Sequence, residues 1–234
     1  MNRSNSFVAF GTKLGPGHPS GFTLLELLVI LTIISLLAAW LVPALARARL
    51  RAQRIVCIGQ LHQLGVALHL YAGDHEDELP RSQHSAFAQR QHPWGAALAP
   101  YLGSTFQTWT NLWNSLYRCP ADRRRNAWSY GLNVYFELGP EDDYRGKPQT
   151  WRRFGQIRRP SETILMAENN TEADHFMANY WDQPEQVTDV ARRRHGERAN
   201  YLYADGHIRT RCFESTYHPA RRVDQWHPEP ESQL

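Results

Sequence analysis

Lysine is almost missing from this 234-residue chain: of 26 basic residues, only Lys13 and Lys147 are lysine and the rest are arginine. The arginines come in pairs and triplets, such as Arg123 to Arg125, Arg152-Arg153, Arg158-Arg159 and Arg192 to Arg194, with Asp and Glu interleaved. That pattern reads as a solvated face rather than a phosphate-binding track. The formal charge of +3 falls to +1 once residues 1–21 are set aside, so no nucleic-acid partner is expected. Cysteine is scarce and odd in number: Cys57, Cys119 and Cys212. Three thiols make no disulfide framework, and none of them stands at CxxC spacing. In an exported domain one disulfide, Cys57 with Cys119, is one reading, and buried free thiols are the other. Also missing are a nucleophile-elbow motif, a Gly-rich phosphate loop and an EF-hand pattern. Neither enzymatic activity nor a cofactor is expected.

There is one long apolar run and no second. The chain is 42% hydrophobic, yet its mean hydropathy is −0.56, so the apolar sequence is concentrated. Leu27 to Ala46 is twenty residues without a charge, enough to cross a hydrocarbon core of ~30 Å at ~1.5 Å per residue. An ordinary soluble enzyme and a multi-span transporter are both excluded. The 188 residues from Arg47 onward suit one domain with one core.

Residues 1 to 20 are polar and punctuated by Gly11, Gly15, Pro16, Gly17 and Pro19, as in a leader. A secretory signal peptide has its small-residue cleavage site after the apolar run, whereas here Gly21 precedes it. Glu26 sits near the start of the span. A charge at the centre of a spanning helix costs about 2.5–3.5 kcal/mol on insertion scales, less near an end, so Glu26 needs a partner.

The stretch GFTLLELLVI, followed by Thr32 to Ala39 and by Pro43-Ala44-Leu45-Ala46, closely resembles the signal of type IV prepilins and type II secretion pseudopilins. The resemblance implies cleavage between Gly21 and Phe22 by a prepilin peptidase, which then methylates the new amine of Phe22. It implies a pairing of Glu26 with the Phe22 ammonium of a neighbouring subunit, and a helix kink at Pro43 near the membrane exit. It also implies a single-pass inner-membrane protein with its head periplasmic or extracellular, and other pilin or pseudopilin subunits as partners. The positive-inside rule disagrees. Arg3 and Lys13 on the leader side are outnumbered by Arg47, Arg49, Arg51 and Arg54 on the other, which taken alone places the head in the cytoplasm. The leader must face a cytoplasmic peptidase, so the orientation implied by the signal is preferred.

Past Pro43 the pattern stays helical to about Ala72. Cys57, Leu61, Leu64, Leu68 and Tyr71 recur at steps of four and three, an apolar stripe with His62 and His69 off it as surface residues. A helix from Phe22 to Ala72 would span ~75 Å. Four carboxylates crowd Asp74 to Glu78 and read as a solvated turn, a Ca²⁺ site being the alternative. Arg81 to Leu116 reads as a long loop with short helices around Trp94 to Leu102. Strands are expected at Ser129 to Phe136 and Thr163 to Ala167, with a polar loop over Glu137 to Thr150. Arg198 to Ala204 and His207 to Cys212 flank Asp205-Gly206, a signal for a two-residue type I′ hairpin. The chain's 8 Trp, 10 Tyr and 9 Phe either fill a core or mark a binding surface; the sequence leaves both open.

A second resemblance lies in the head. His195, nine residues on from which come Asp205-Gly206, looks like the H-X9-DG element ending a large group of prepilin-like proteins. The segments CIGQLHQLGVALHLYAGD, RCPAD, SYGLN and PSETILMAE resemble that group too. His195, Asp205 and Glu168 could hold a transition metal. The structural alternative, a turn at Asp205-Gly206 and a hydrogen-bonded His195, is preferred, and no metal is expected.

The expected architecture is α+β and pilin-like, with a long N-terminal helix packed on an antiparallel head. Its divisions are a leader (1–21), a transmembrane half-helix (22–46), an amphipathic half-helix (47–73) and a head (74–234) with a hairpin at 195–212. The expected function is a structural pseudopilin-like subunit of a type II secretion-like or type IV pilus-like complex. Alternatives are a surface-displayed binding module for DNA, polysaccharide or secreted substrate, and a membrane-anchored metal-dependent hydrolase.

Overall fold

Thr23 and Glu26 explain where the first helix starts. The Thr23 Oγ1 accepts from the Glu26 backbone N–H at 3.2 Å, while Glu26 Oε2 accepts from the Thr23 N–H at 2.9 Å and its hydroxyl at 2.8 Å. This reciprocal capping box satisfies donors that a helix start otherwise leaves orphaned. In the computed structural model, which describes residues 21–103, 108–113, 115–137 and 151–229, the helix α1 then runs Leu24–Asp74 with Pro43 inside it. The leader over 1–20, the polar loop from 138 to 150 and the end of the head from 230 lie outside the described residues.

The chain divides into two compact units, Met1–Ala46 and Arg47–Leu234. In the first, every described side chain is exposed. Among the described residues α1 is the one helix long and apolar enough to cross a membrane.

In the second unit, α1 buries Cys57, Leu61, Leu64, Gly65, Ala67, Leu68 and Ala72, the predicted stripe, with Tyr71 half-buried at its edge. Each fully buried leucine is worth about 1.5–3 kcal/mol. Short helices α2 (Gln83–Ala86), α3 (Trp94–Ala97) and α4 (Trp109–Trp113) follow. The strands are β1 (Tyr130–Asn133), β2 (Ile164–Glu168), β3 (His175–Phe176), β4 (Ala199–Tyr203) and β5 (Ile208–Arg211), in the sheet order β3-β1-β2-β4-β5. A small ribbon pairs β6 (Tyr217–His218) with β7 (Val223–Asp224). Pairings β1–β2, β2–β4 and β4–β5 are antiparallel; β1–β3 is parallel, so the sheet is mixed.

The central strands β1, β2 and β4 are buried along their whole lengths. Side chains alternate across a strand, so Tyr130, Glu168 and Leu202 share one face and Tyr201 and Ala167 the other. The helix covers the first face. Gly65 approaches β4 so closely that a Cβ there would sit 2.9 Å from Leu202 Cδ1. Aromatics cover the second: buried Trp226 lies edge-on to Tyr201, Phe176 and Trp181 at ring distances of 4.8 to 6.0 Å. A further cluster joins Trp94, Tyr117, Trp109 and Trp113 around buried Trp128. The large aromatics therefore mostly fill the core.

The β4–β5 hairpin corrects the predicted turn. A type I′ turn needs positive φ at both central residues, but only Gly206 has one, at 89°. Gly206 N–H bonds to Tyr203 O at 2.9 Å and Tyr203 N–H to His207 O at 2.9 Å, giving a three-residue loop, Ala204 to Gly206. This loop demands the left-handed conformation only where no Cβ opposes it.

Candidate functional site

Among the described residues the amino-terminal motif is held by little beyond its own cap. Gly21 has no heavy atom within 4 Å of a Cβ position, and Phe22 is 75% exposed. Among the described residues both side-chain bonds to Glu26 fall on Oε2, which leaves Oε1 for another donor.

In the head, the sheet register builds a buried polar cluster. Tyr130 stands opposite Glu168 across the β1–β2 pair, and both side chains face α1, where Cys57 lies on the buried stripe. Cys57 Sγ is 2.8 Å from Glu168 Oε1 and 2.9 Å from Tyr130 Oη. Tyr130 Oη also reaches Gln60 Oε1 at 2.7 Å. From the loop before β4, His195 Nε2 comes within 2.7 Å of Glu168 Oε1 and 3.6 Å of Cys119 Sγ. Glu168 is anchored from β4: Asn200 N–H donates to Oε2 and Asn200 Nδ2 to Oε1, each at 3.0 Å.

Two flanking segments are clasped beside it. Buried Asp122 takes Arg194 at 3.0 Å and Arg124 at 2.7 Å, and accepts the Ser129 hydroxyl at 2.9 Å. The Asp122 N–H bonds back to Cys119 O at 2.9 Å, so this ionic knot fixes Cys119 on one side and the residue before His195 on the other. On α1, Gln53 Nε2 donates to Pro120 O at 3.2 Å. Asp122 therefore gives the RCPAD segment its purpose, which its sequence alone did not reveal.

Burial and neighbours set the cluster's protons. Burial pushes the Cys57 thiol far up, and it pushes the Tyr130 hydroxyl up as well. The Cys57 hydrogen bond lowers Cys119, helped by His195 against its own burial. Burial opposes charge on His195, but its bonds to Cys119 and Glu168 outweigh that and raise it.

Of the residues singled out in sequence, Glu168 and His195 meet, and Asp205 does not join them. Asp205 is in the hairpin loop, where its Oδ1 accepts from the His207 N–H at 3.1 Å and meets the His207 ring. Cys57 and Cys119 come to the place that Asp205 was expected to fill. Both are buried free thiols in this structure, and Cys212 is an exposed one. No local spacing marks the pair, because its members sit on a helix and a loop 62 positions apart. His62 is exposed, and so is His69, although its ring stacks on Phe154 at 4.3 Å and reaches Ala204 O. The Asp74 to Glu78 carboxylates turn to partners outside the segment: Asp74 to Tyr101, Glu76 to Arg153, Asp77 to the Gly155 N–H, and Glu78 to Arg152 and Arg153.

A thiol, an imidazole and a carboxylate invite comparison with a nucleophilic relay. Such a relay needs the carboxylate on one ring nitrogen and the nucleophile on the other. Here Cys119 and Glu168 share Nε2, and Nδ1 has no hydrogen-bond partner among the described residues. All three are buried as well. The donor atoms of Cys57, Cys119, Glu168 and His195 do lie within 4.8 Å of one another, the arrangement of ligands around an ion.

Two family models match the chain. Residues 18–42 match the prokaryotic N-terminal methylation motif, and residues 46–105 match a family described as a protein of unknown function, DUF1559. No curated protein and no solved structure matches significantly.

Proposed function

We propose that this prepilin-like protein is a non-enzymatic structural subunit, processed at Gly21/Phe22 and assembled through its N-terminal helix into a type II secretion-like or type IV pilus-like complex. The observation that carries this reading is the surface of residues 24–46. It is apolar and exposed along its length, with the Glu26 carboxyl as its one ionisable group. Water disfavours such a surface; lipid and neighbouring copies of the same helix both cover it. The match to the methylation motif supports the choice of the second as the working state.

In this reading a prepilin peptidase, also the methyltransferase, cuts on the cytoplasmic side, and the head lies periplasmic or extracellular on a single inner-membrane span. Cleavage creates an ammonium at Phe22, four residues from Glu26. Within one chain the Glu26 Oε2 already serves the Thr23 cap, and Oε1 takes the ammonium of an adjacent subunit. That pairing offsets the burial of both charges and fixes the stagger between helices.

Amino-terminal analysis of protein from membranes is expected to find methylated Phe22 as the first residue. Glu26→Ala is expected to be cut normally yet to be absent from crosslinked assemblies. An uncut chain, or incorporation of the variant at wild-type levels, contradicts the reading.

A further inference from the structure

We infer that Cys57 Sγ, Cys119 Sγ, Glu168 Oε1 and His195 Nε2 form a closed four-ligand site for a divalent ion of the zinc class, which ties the helix to the head. The argument begins with donor chemistry. Ca²⁺ and Mg²⁺ take oxygen ligands, whereas two sulfurs with an imidazole and a carboxylate select a softer ion with tetrahedral habits.

Geometry follows. Ligand bonds of ~2.3 Å to sulfur and ~2.0–2.2 Å to nitrogen and oxygen place tetrahedral ligands ~3.3–3.8 Å apart. The Cys119–His195 separation, 3.6 Å, is already in that range. The separations of Glu168 Oε1 from His195 and from Cys57, 2.7 and 2.8 Å, need only the small opening that an entering ion makes.

Hydrogens are also too few for the contacts made. The His195 Nε2 carries at most one, yet it faces both Cys119 Sγ and Glu168 Oε1. A cation at the shared centre removes this conflict, with both sulfurs as thiolates and the imidazole neutral.

The surroundings suit a metal as well. Asn200 orients Glu168 through two bonds, as outer partners of metal ligands do. All four ligands are buried and come from four separate segments. With no position left for water or substrate, the role is structural. It is independent of the assembly reading, since all four residues lie in the Arg47–Leu234 unit.

The test uses the full chain, purified in detergent with a thiol reductant, and two probes, Zn²⁺ and Co²⁺. After dialysis about one Zn²⁺ per chain is expected, because a closed site of this kind holds its ion tightly. Co²⁺ in its place is expected to give a thiolate charge-transfer band with the intense visible bands of a tetrahedral site. Cys119→Ser is expected to abolish the charge-transfer intensity contributed by Cys119, and Cys212→Ser to change nothing. Asn200→Ala, which removes no ligand, is expected to weaken Zn²⁺ binding ~10–100-fold. The wild-type Co²⁺ spectrum decides the matter even where a variant fails to fold. A six-coordinate, oxygen-only Co²⁺ spectrum overturns the site in favour of a hydrogen-bonded ion pair. So does a chain prepared without reductant in which Cys57 and Cys119 both resist alkylation after denaturation and Zn²⁺ is absent, which marks a disulfide instead.

Discussion

His175 illustrates how much a single buried titrating group can say about this head. It forms half of the short strand β3, and its Nδ1 lies 3.1 Å from buried Asp174 Oδ1. Asp174 in turn caps the Gln83 N–H at 2.9 Å, so the pair links the sheet edge to α2. Burial opposes a charge on His175, but the Asp174 bond, with Glu137 and Asp189 nearby, prevails and raises it above its ordinary 6.5. A raised folded value means that the folded state holds the proton more tightly than the unfolded chain does. The stabilisation is therefore complete below pH 6.5 and is lost as pH rises through the folded value. Thermal melts from pH 6 to pH 9 are expected to fall more for wild type than for His175→Gln. Parallel curves for the two would refute the linkage. Residue-scale legibility was uneven: Glu168 and His195 stood out by their segments, while Cys57 and Cys119 are ordinary in sequence, and only tertiary folding makes them neighbours.

At the scale of elements, what the sequence revealed follows from periodicity. The apolar run and the stripe from Cys57 onward each repeat often enough to identify α1, whose ends fell within two residues of expectation. Strand β3, two residues long and paired in parallel with β1, is too short to carry any period, so the mixed character of the sheet was hidden. The β4–β5 hairpin was legible in place but not in kind. Asp205-Gly206 signals a turn, yet the choice between loops of two and three residues depends on where Ala204 docks. Its N–H bonds to Thr163 O at 2.9 Å and its carbonyl receives His69. Because Gly206 alone holds a positive φ in this loop, Gly206→Ala is expected to cost about 1–2 kcal/mol. That would lower the melting temperature by roughly 2–8 °C for a domain of this size. An unchanged melt would show that the loop can re-form without the left-handed residue.

On the scale of the whole molecule, each of the two units has its own logic. Among the described residues the buried core draws only on Cys57 and residues after it, so the Arg47–Leu234 unit carries its own hydrophobic interior. A fragment of residues 47–234 is expected to stay in solution without detergent and to melt in one cooperative transition. Aggregation, or a gradual melt, would show that residues 21–46 are needed for the fold. The pilin-like α+β arrangement of a long helix before a sheet was readable from sequence, because one apolar run and one stripe determine it. How the head closes on that helix was not, since its contacts join distant parts of the chain.

Those distances bear on time as well as on structure. Cys57 meets Glu168 across 111 positions, and His69 meets Ala204 across 135. The stripe of α1 is synthesised early, but the strands that shelter it come late. During synthesis the stripe must wait bare while most of the polypeptide follows, and closing so long a loop is slow. A chain stalled or clipped before β4 would present the adhesive half of an unfinished interior to whatever lay nearby. For this protein the hazardous interval is its own synthesis, and completion of the hairpin that ends in β5 is the event that closes it.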